Sequence, residues 1–206
     1  MIRILVADDR AVVREGLKQI LSAEPDIIVA GQASDGCEAL AQARNGDYDL
    51  LLLDIAMPMM NGLDVLKQLK SEKADLPSMY PEEQYAIRTL KAGASGHLTK
   101  ASAPEELVAA IRKVCQGGKY VTPSLAEKLA TYLYPERERA IHELLSDREY
   151  QVVLMIASGK TVSEIAAALS LSVTTISTNR SRTLAKMGMK SNAELTHYVI
   201  SNGLAT

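Results

Sequence analysis

The chain contains no run of eighteen apolar residues, the length a helix needs to cross a bilayer, and no positively charged leader ahead of a long apolar segment. No membrane association is expected, and the expected setting is the cytoplasm. Cysteine is nearly missing as well. Cys37 and Cys115 stand far apart, without metal-ligand spacing, so they read as reduced core thiols and not as a disulfide framework. A net charge of only −2 leaves no overall acidic or basic excess, so the total excludes nothing.

The distribution of charge says more than the total. From Leu144 onward there are six Lys/Arg and four Asp/Glu, against 17 basic and 21 acidic residues before it. An acidic front joined to a mildly basic tail suggests two jobs, and 206 residues are comfortable for two domains. Apolar content of 47% and charged content of 23% are ordinary for a globular protein.

The front part alternates strands with helices. Ile2–Ala7 reads as a strand, Arg10–Leu21 as a helix, Ile27–Gln32 as a strand and Gly36–Arg44 as a helix. Leu50–Leu53 is an unbroken apolar run, the mark of a central parallel strand buried on both faces. Helices over Leu63–Leu69, Glu82–Ala92 and Pro104–Cys115 follow, with a short strand inside Gly93–Lys100. This pattern predicts an α/β fold with a doubly wound parallel sheet over residues 1–118. Residues 119–143, with a short helix over Pro123–Leu133, read as a linker. Residues 144–206 carry helical patterns alone: Asp147–Ser158, Val162–Leu169, Val173–Met187 and Asn192–Asn202.

Two apolar strands end in acid, Ile2–Ala7 at Asp8-Asp9 and Leu50–Leu53 at Asp54. Parallel strands all end on one edge of their sheet, so these carboxylates converge if the two strands are neighbours. One pair of like charges at 4 Å costs roughly 4 kcal/mol at an effective dielectric of about 20. A hard cation relieves this, and Mg²⁺ accepts carboxylates, a backbone carbonyl and waters. A metal site with one accessible carboxylate is a place to form an acyl phosphate. Lys100, at the end of the last strand, supplies an ammonium on the same edge.

The pair Asp8-Asp9, the stretch Leu53-Asp54-Ile55-Ala56-Met57-Pro58 with Asn61-Gly62, and Ala92-Gly93-Ala94-Ser95-Gly96-His97-Leu98-Thr99-Lys100 together resemble the receiver domain of two-component response regulators. The resemblance implies a flavodoxin-like fold with Asp54 as phosphoacceptor. It implies Mg²⁺ held by Asp9, Asp54 and the Ala56 carbonyl, with Asp8 acting through water. Lys100 would pair with the phosphoryl group. Ser78 matches the family's switch hydroxyl, and His97 stands where an aromatic residue, often tyrosine, is usual.

One departure from the family concerns its fourth strand. Between Ser71 and Tyr80 there is no apolar run, and the 24 residues from Asp54 to Ser78 are a few short of the family's spacing. The receiver is therefore expected to lack most of that strand. An extended segment still reaches across, at about 3.3–3.6 Å per residue, but Pro77 is poorly suited to an interior strand. An irregular or shortened strand, a rearranged domain, and residues lost from the sequence itself all remain open readings.

In the tail, Ser146 with Glu149 three residues on is a capping box. Gly159-Lys160-Thr161 imitates the end of a phosphate-binding loop, but the glycine required five positions earlier is Leu154. Val162–Leu169 and Val173–Met187, joined at Ser170-Leu171-Ser172, form a helix-turn-helix. On the second helix Ile176, Thr183, Leu184 and Met187 share one side, with Thr174, Thr178, Ser181 and Arg182 opposite. Arg180, Arg182, Lys186 and Lys190 meet no acidic residue between Thr174 and Ser191, a bias that suits a phosphate-facing surface.

Leu145-Ser-Asp-Arg-Glu149, Ile156-Ala-Ser-Gly-Lys160, Glu164-Ile-Ala166, Thr175-Ile176-Ser177 and Lys186-Met187-Gly188 resemble the LuxR-type DNA-binding domain. That resemblance implies base reading by Ser177, Thr178 and Ser181. Phosphate contacts would come from Thr174, Thr175, Arg180, Arg182, Lys186 and Lys190. It also implies use of the last helix for dimerisation, in addition to closing the small core.

The expected function is a transcriptional response regulator of the NarL/FixJ type, not an enzyme. A sensor histidine kinase would phosphorylate Asp54, and a homodimer would bind double-stranded promoter DNA. The alternative is a phosphorylation-independent regulator whose receiver serves only as a dimerisation module. An aspartate-nucleophile phosphatase would need a second acid two residues after the nucleophile, where this chain has Ala56.

Overall fold

Apolar strands that cannot face water need helices on both sides, and the front part of the chain supplies them. The computed structural model describes residues 1–72, 76–80, 85–98, 102–132 and 140–204. These fall into two compact units, Met1–Leu133 and Tyr134–Thr206. The helix over Pro123–Tyr132, expected in a linker, belongs to the first unit.

In the first unit, β1 (Ile2–Ala7), β2 (Ile27–Ala33), β3 (Leu50–Leu53), β4 (Ser78–Tyr80) and β5 (Gly96–His97) form a sheet in the order β2-β1-β3-β4-β5. Every pairing is parallel. The helices are α1 (Ala11–Leu21), α2 (Gly36–Asn45), α3 (Gly62–Glu72), α4 (Ala86–Lys91), α5 (Pro104–Cys115) and α6 (Pro123–Tyr132). As the unbroken run of leucines predicted, Leu50, Leu51 and Leu53 have almost no exposed surface. One face of the sheet packs Ile4, Val6, Leu50, Leu52 and Met79 against Leu21 of α1 and Leu107, Ile111 and Val114 of α5. α5 starts with Pro104 and two acids and ends with Arg112 and Lys113, in accord with its dipole.

The fourth strand is shortened, and it forms from residues expected to lie beyond it. Ser78 pairs with Leu51 and Met79 with Leu52, while Met79 and Tyr80 pair with Gly96 and His97. The sheet is thus continuous across the gap. The cause is backbone accounting: β3 is buried, and its N–H and C=O groups need partners on that side. Pro77 fits because it stands just before the strand, where its carbonyl accepts from Leu51 N at 3.0 Å and its missing N–H is not needed. Met79 turns its side chain into the core on the α5 face.

The first element described in the second unit is a 3-10 turn, Ile141–Leu144, that the sequence pattern did not announce. The helices α7 (Asp147–Ala157), α8 (Val162–Ala168), α9 (Val173–Met187) and α10 (Asn192–Ser201) follow. Ser146 and Thr161 each head a capping box, closed by Glu149 and Glu164. Ser172 caps α9, and Gly188 ends it at φ 66°, a left-handed conformation that glycine adopts freely. Leu145, Val152, Val153, Ile156, Ile165, Ile176, Met187, Leu195 and Val199 are buried.

One glycine ties the fold to the acidic edge. A Cβ on Gly62 would lie 2.0 Å from the carbonyl oxygen of Asp54. Gly62→Ala must therefore push α3 away from the loop that follows β3. We expect it to lower stability by about 2 kcal/mol or more, measured by denaturant unfolding against wild type. Unchanged unfolding would contradict this close approach.

Candidate phosphoacceptor site and nucleic-acid interface

Because β1 and β3 are neighbours with Ala7 opposite Leu53, Asp8 and Asp54 leave the sheet side by side. Asp54 N donates to Ala7 O at 2.8 Å, and Asp8 N donates to Ala33 O at 3.2 Å, which fixes both backbones. One carboxylate oxygen from each of Asp8, Asp9 and Asp54 lies within 4.8 Å of the others. Asp8 and Asp54 are 2% and 3% exposed, whereas Asp9 is open to solvent. The donors are all hard oxygens, and the spread suits a small divalent cation, so the cluster is compatible with Mg²⁺.

The loop after Asp54 folds back on itself. Gly62 N donates to Ile55 O at 3.0 Å, and the buried Asn61 accepts from Asp64 N at 2.8 Å as the cap of α3. Ala56, the expected carbonyl ligand, is an exposed residue of this loop. Lys100, expected to pair with the phosphoryl group, lies outside the described residues.

A cation that the sequence reading overlooked does stand at the cluster. Arg10 Nε is 3.3 Å from Asp8 Oδ1 and 3.9 Å from Asp9 Oδ1. Partial burial lowers the affinity of this guanidinium for its proton, but Asp8, Asp54 and Asp9 outweigh that and raise its pKa above the ordinary value. The signal was the adjacency Asp8-Asp9-Arg10. Arg14 also donates to the Asp8 carbonyl at 2.7 Å.

Ser78 does not reach this edge. It sits opposite Leu51, three positions before Asp54, or about 10 Å along the strand at roughly 3.3 Å per residue. Its hydroxyl is buried without a hydrogen-bond partner among the described residues. His97 is fully buried on β5, and its backbone N–H donates to Tyr120 O at 2.9 Å. Tyr120 continues the sheet edge through an isolated parallel bridge to Gly96, and its hydroxyl donates to Glu106 at 2.8 Å.

In the second unit, α9 buries Ile176, Thr183 and Met187, as the helical spacing predicted, with Leu184 half-buried beside them. Thr174, Thr175, Ser177, Thr178, Ser181, Arg182, Lys186 and Lys190 are exposed, and Arg180 is half-buried. Two of the four basic residues are already engaged. Lys186 Nζ is 2.7 Å from Glu149 Oε2, and Arg180 Nε donates to Asn192 Oδ1. Burial pushes the Glu149 carboxyl up, but Lys186 and two hydrogen bonds from Ser146 outweigh it and hold the carboxyl below its usual range.

The description "Response regulator receiver domain" matches residues 4–112, and "Bacterial regulatory proteins, luxR family" matches residues 143–199. The chain is a two-component response regulator of the LuxR family. It is 35% identical to the response regulator UvrY of Escherichia coli (strain K12), over 99% of this chain and 96% of that one. It is 37% identical to the transcriptional regulatory protein UhpA of Salmonella typhimurium, over 96% and 97% of the two chains. Among solved structures, RcsB from Salmonella enterica serovar Typhimurium matches at a TM-score of 0.68, with 24% identity and coverage of 97% and 98%, a likeness of fold. As a member of this family the regulator is a DNA-binding protein.

Two outcomes follow for the receiver. In metal-free buffer Asp9→Asn should raise its melting temperature by removing one of three crowded charges, and saturating Mg²⁺ should erase that advantage. A lower melting temperature without metal would show that the crowding is not costly. Ser78→Ala should be neutral or stabilising by up to about 1 kcal/mol, because an unsatisfied buried hydroxyl is lost; clear destabilisation in urea would mean the hydroxyl has a partner.

Proposed function

We propose that this response regulator is switched by phosphorylation of Asp54 and binds promoter DNA as a homodimer through α9. The observation that carries the chemistry is the convergence of Asp8, Asp9 and Asp54 at the end of β1 and β3. In the transfer, a carboxylate oxygen of Asp54 attacks the phosphorus of a phosphohistidine on a sensor kinase. The P–N bond breaks, the histidine leaves with the electron pair, and an acyl phosphate forms. Asp54 suits this role because the paired strands hold its backbone and the loop through Gly62 holds its other side. Asp8, Asp9 and Asp54, with the Ala56 carbonyl, would hold Mg²⁺, and the ion when bound supplies positive charge to the transferring oxygens. Arg10 adds a second positive group beside them. By resemblance Lys100 pairs with the phosphoryl group once it is on Asp54.

The exposed row Ser177, Thr178 and Ser181 is the proposed base-reading surface, with Thr174 and Thr175 near the first turn of α9 on the backbone. Short hydroxyls give modest direct readout, so part of the specificity rests on DNA shape.

A second reading is favoured by Ser78. A switch hydroxyl drawn into β4, level with Leu51, is not placed to follow a phosphoryl group on Asp54. In that reading the receiver keeps its phosphorylation chemistry but serves as a dimerisation module, and DNA binding is independent of phosphorylation.

Incubation with acetyl phosphate and Mg²⁺ should label wild type and leave Asp54→Ala unlabelled. Absence of label on wild type, or equal label on both, would refute Asp54 as the acceptor. The two readings separate on DNA affinity with and without the phosphodonor: a rise supports the switch, and no change supports the dimerisation module.

A further inference from the structure

The four basic residues of the α9 segment are not equivalent. Arg182 and Lys190 are exposed, and their side chains make no hydrogen bond or ion pair among the described residues. Lys186 and Arg180 are bound inward. From these contacts we infer that Lys186 and Arg180 are positioning residues that set the rotation of the recognition helix, while Arg182 and Lys190 carry its phosphate contacts. This rests on the reading that α9 meets DNA.

The need for such positioning follows from how little of α9 is buried. Of its 15 residues, Ile176, Thr183 and Met187 are buried, one of them a threonine. With only Leu184 half-buried at its side, so narrow a fully buried stripe resists rolling less than a wide apolar face does. A roll of about 20° at a side-chain radius of about 5 Å moves the outer atoms by roughly 2 Å, enough to break a hydrogen bond to a base edge. Lys186 stands off that stripe in the last turn and ties α9 to α7 through Glu149. Arg180 ties the middle of the helix to Asn192 at the start of α10. Both ties resist rotation.

Glu149 is built to hold its lysine. Its carboxylate is 5% exposed, and one oxygen accepts from Ser146 N at 2.8 Å, Ser146 Oγ at 2.9 Å and Lys186 Nζ at 2.7 Å. A buried carboxylate with this many donors stays charged, and a charged carboxylate in a dry place does not readily give up its ammonium. A phosphate would have to compete for Lys186 against a fixed partner. Arg182 and Lys190 face no such competition.

Counterion release makes the division measurable. Each phosphate neutralised contributes about 0.9 to the slope of log affinity against log salt. The full-length regulator is first used to select a duplex from random sequence, and binding is then followed across a salt series. Arg182→Gln and Lys190→Gln should each lower the slope by about 0.9 for every tail bound. Lys186→Met should weaken binding with the slope unchanged, and Lys186→Arg should restore it. Glu149→Gln keeps a capping-box acceptor but removes the charge. It should weaken binding as Lys186→Met does, and the double variant should be no weaker than either single one.

A slope lowered by Lys186→Met as much as by Lys190→Gln would overturn the inference. So would wild-type affinity in Lys186→Met and Glu149→Gln variants whose only change is a lower melting temperature, since the pair would then be merely structural. Failure to select any duplex would instead refute DNA binding by α9. In that case melting without DNA still tests the pair: non-additive losses for Glu149→Gln and Lys186→Met support it, and additive losses overturn it.

Discussion

Like-charge crowding at one edge of a parallel sheet is the constraint around which this receiver is arranged. Neighbouring strands in register send Asp8 and Asp54 out of the sheet together, nearly without solvent. Within 4.8 Å a pair of carboxylates repels by about 3.5 kcal/mol or more at an effective dielectric of about 20, a large share of a small domain's net stability. Arg10 offsets part of this from one side. The backbone around the site is held firmly: Asn61 caps α3, and Gly62 admits the Asp54 carbonyl where any Cβ would collide. The acidic edge is thereby fixed in shape, and its oxygens are compatible with a small divalent cation.

The short fourth strand shows two demands on one segment. A central strand must be paired on both sides, and the proposed switch role of Ser78 would place its hydroxyl beyond the strand end. With too few residues after α3, the pairing demand wins, since each unpaired buried backbone group costs on the order of 1–3 kcal/mol. Ser78 is therefore taken into the sheet, where its hydroxyl is buried without a hydrogen-bond partner among the described residues. The chemistry proposed for Asp54 does not depend on that outcome, because Asp8, Asp9 and Arg10 all come from β1 and its end. Only the coupling from Asp54 to the opposite half of the sheet does.

Much of this was legible from the chain alone. Leu50–Leu53 followed by Asp54, and Ile2–Ala7 followed by Asp8-Asp9, gave the sheet and the acidic edge, because uninterrupted apolar runs admit few other readings. Ser146 with Glu149 marked a helix start through local hydrogen bonds. What was not legible depends on partners distant in sequence. The pairing of Ser78 with Leu51 is a choice among registers that only the whole sheet decides. The reach of Lys186 to Glu149 and of Arg180 to Asn192 likewise depends on how elements meet, and composition presents these cations alike.

The same economy governs the small helical unit. A recognition helix must leave most of its surface for a ligand, so it cannot bury a wide apolar stripe. Hydrophobic contact alone then holds its position along the axis better than its rotation. Directional bonds to neighbouring helices are the remaining means of fixing rotation, and they must use side chains long enough to leave the open face and turn back. Lysine and arginine have that length, and they are also the residues that favour phosphate. A helix of this kind therefore spends some of its positive charge on its own geometry, and its count of basic residues overstates the charge it presents to DNA.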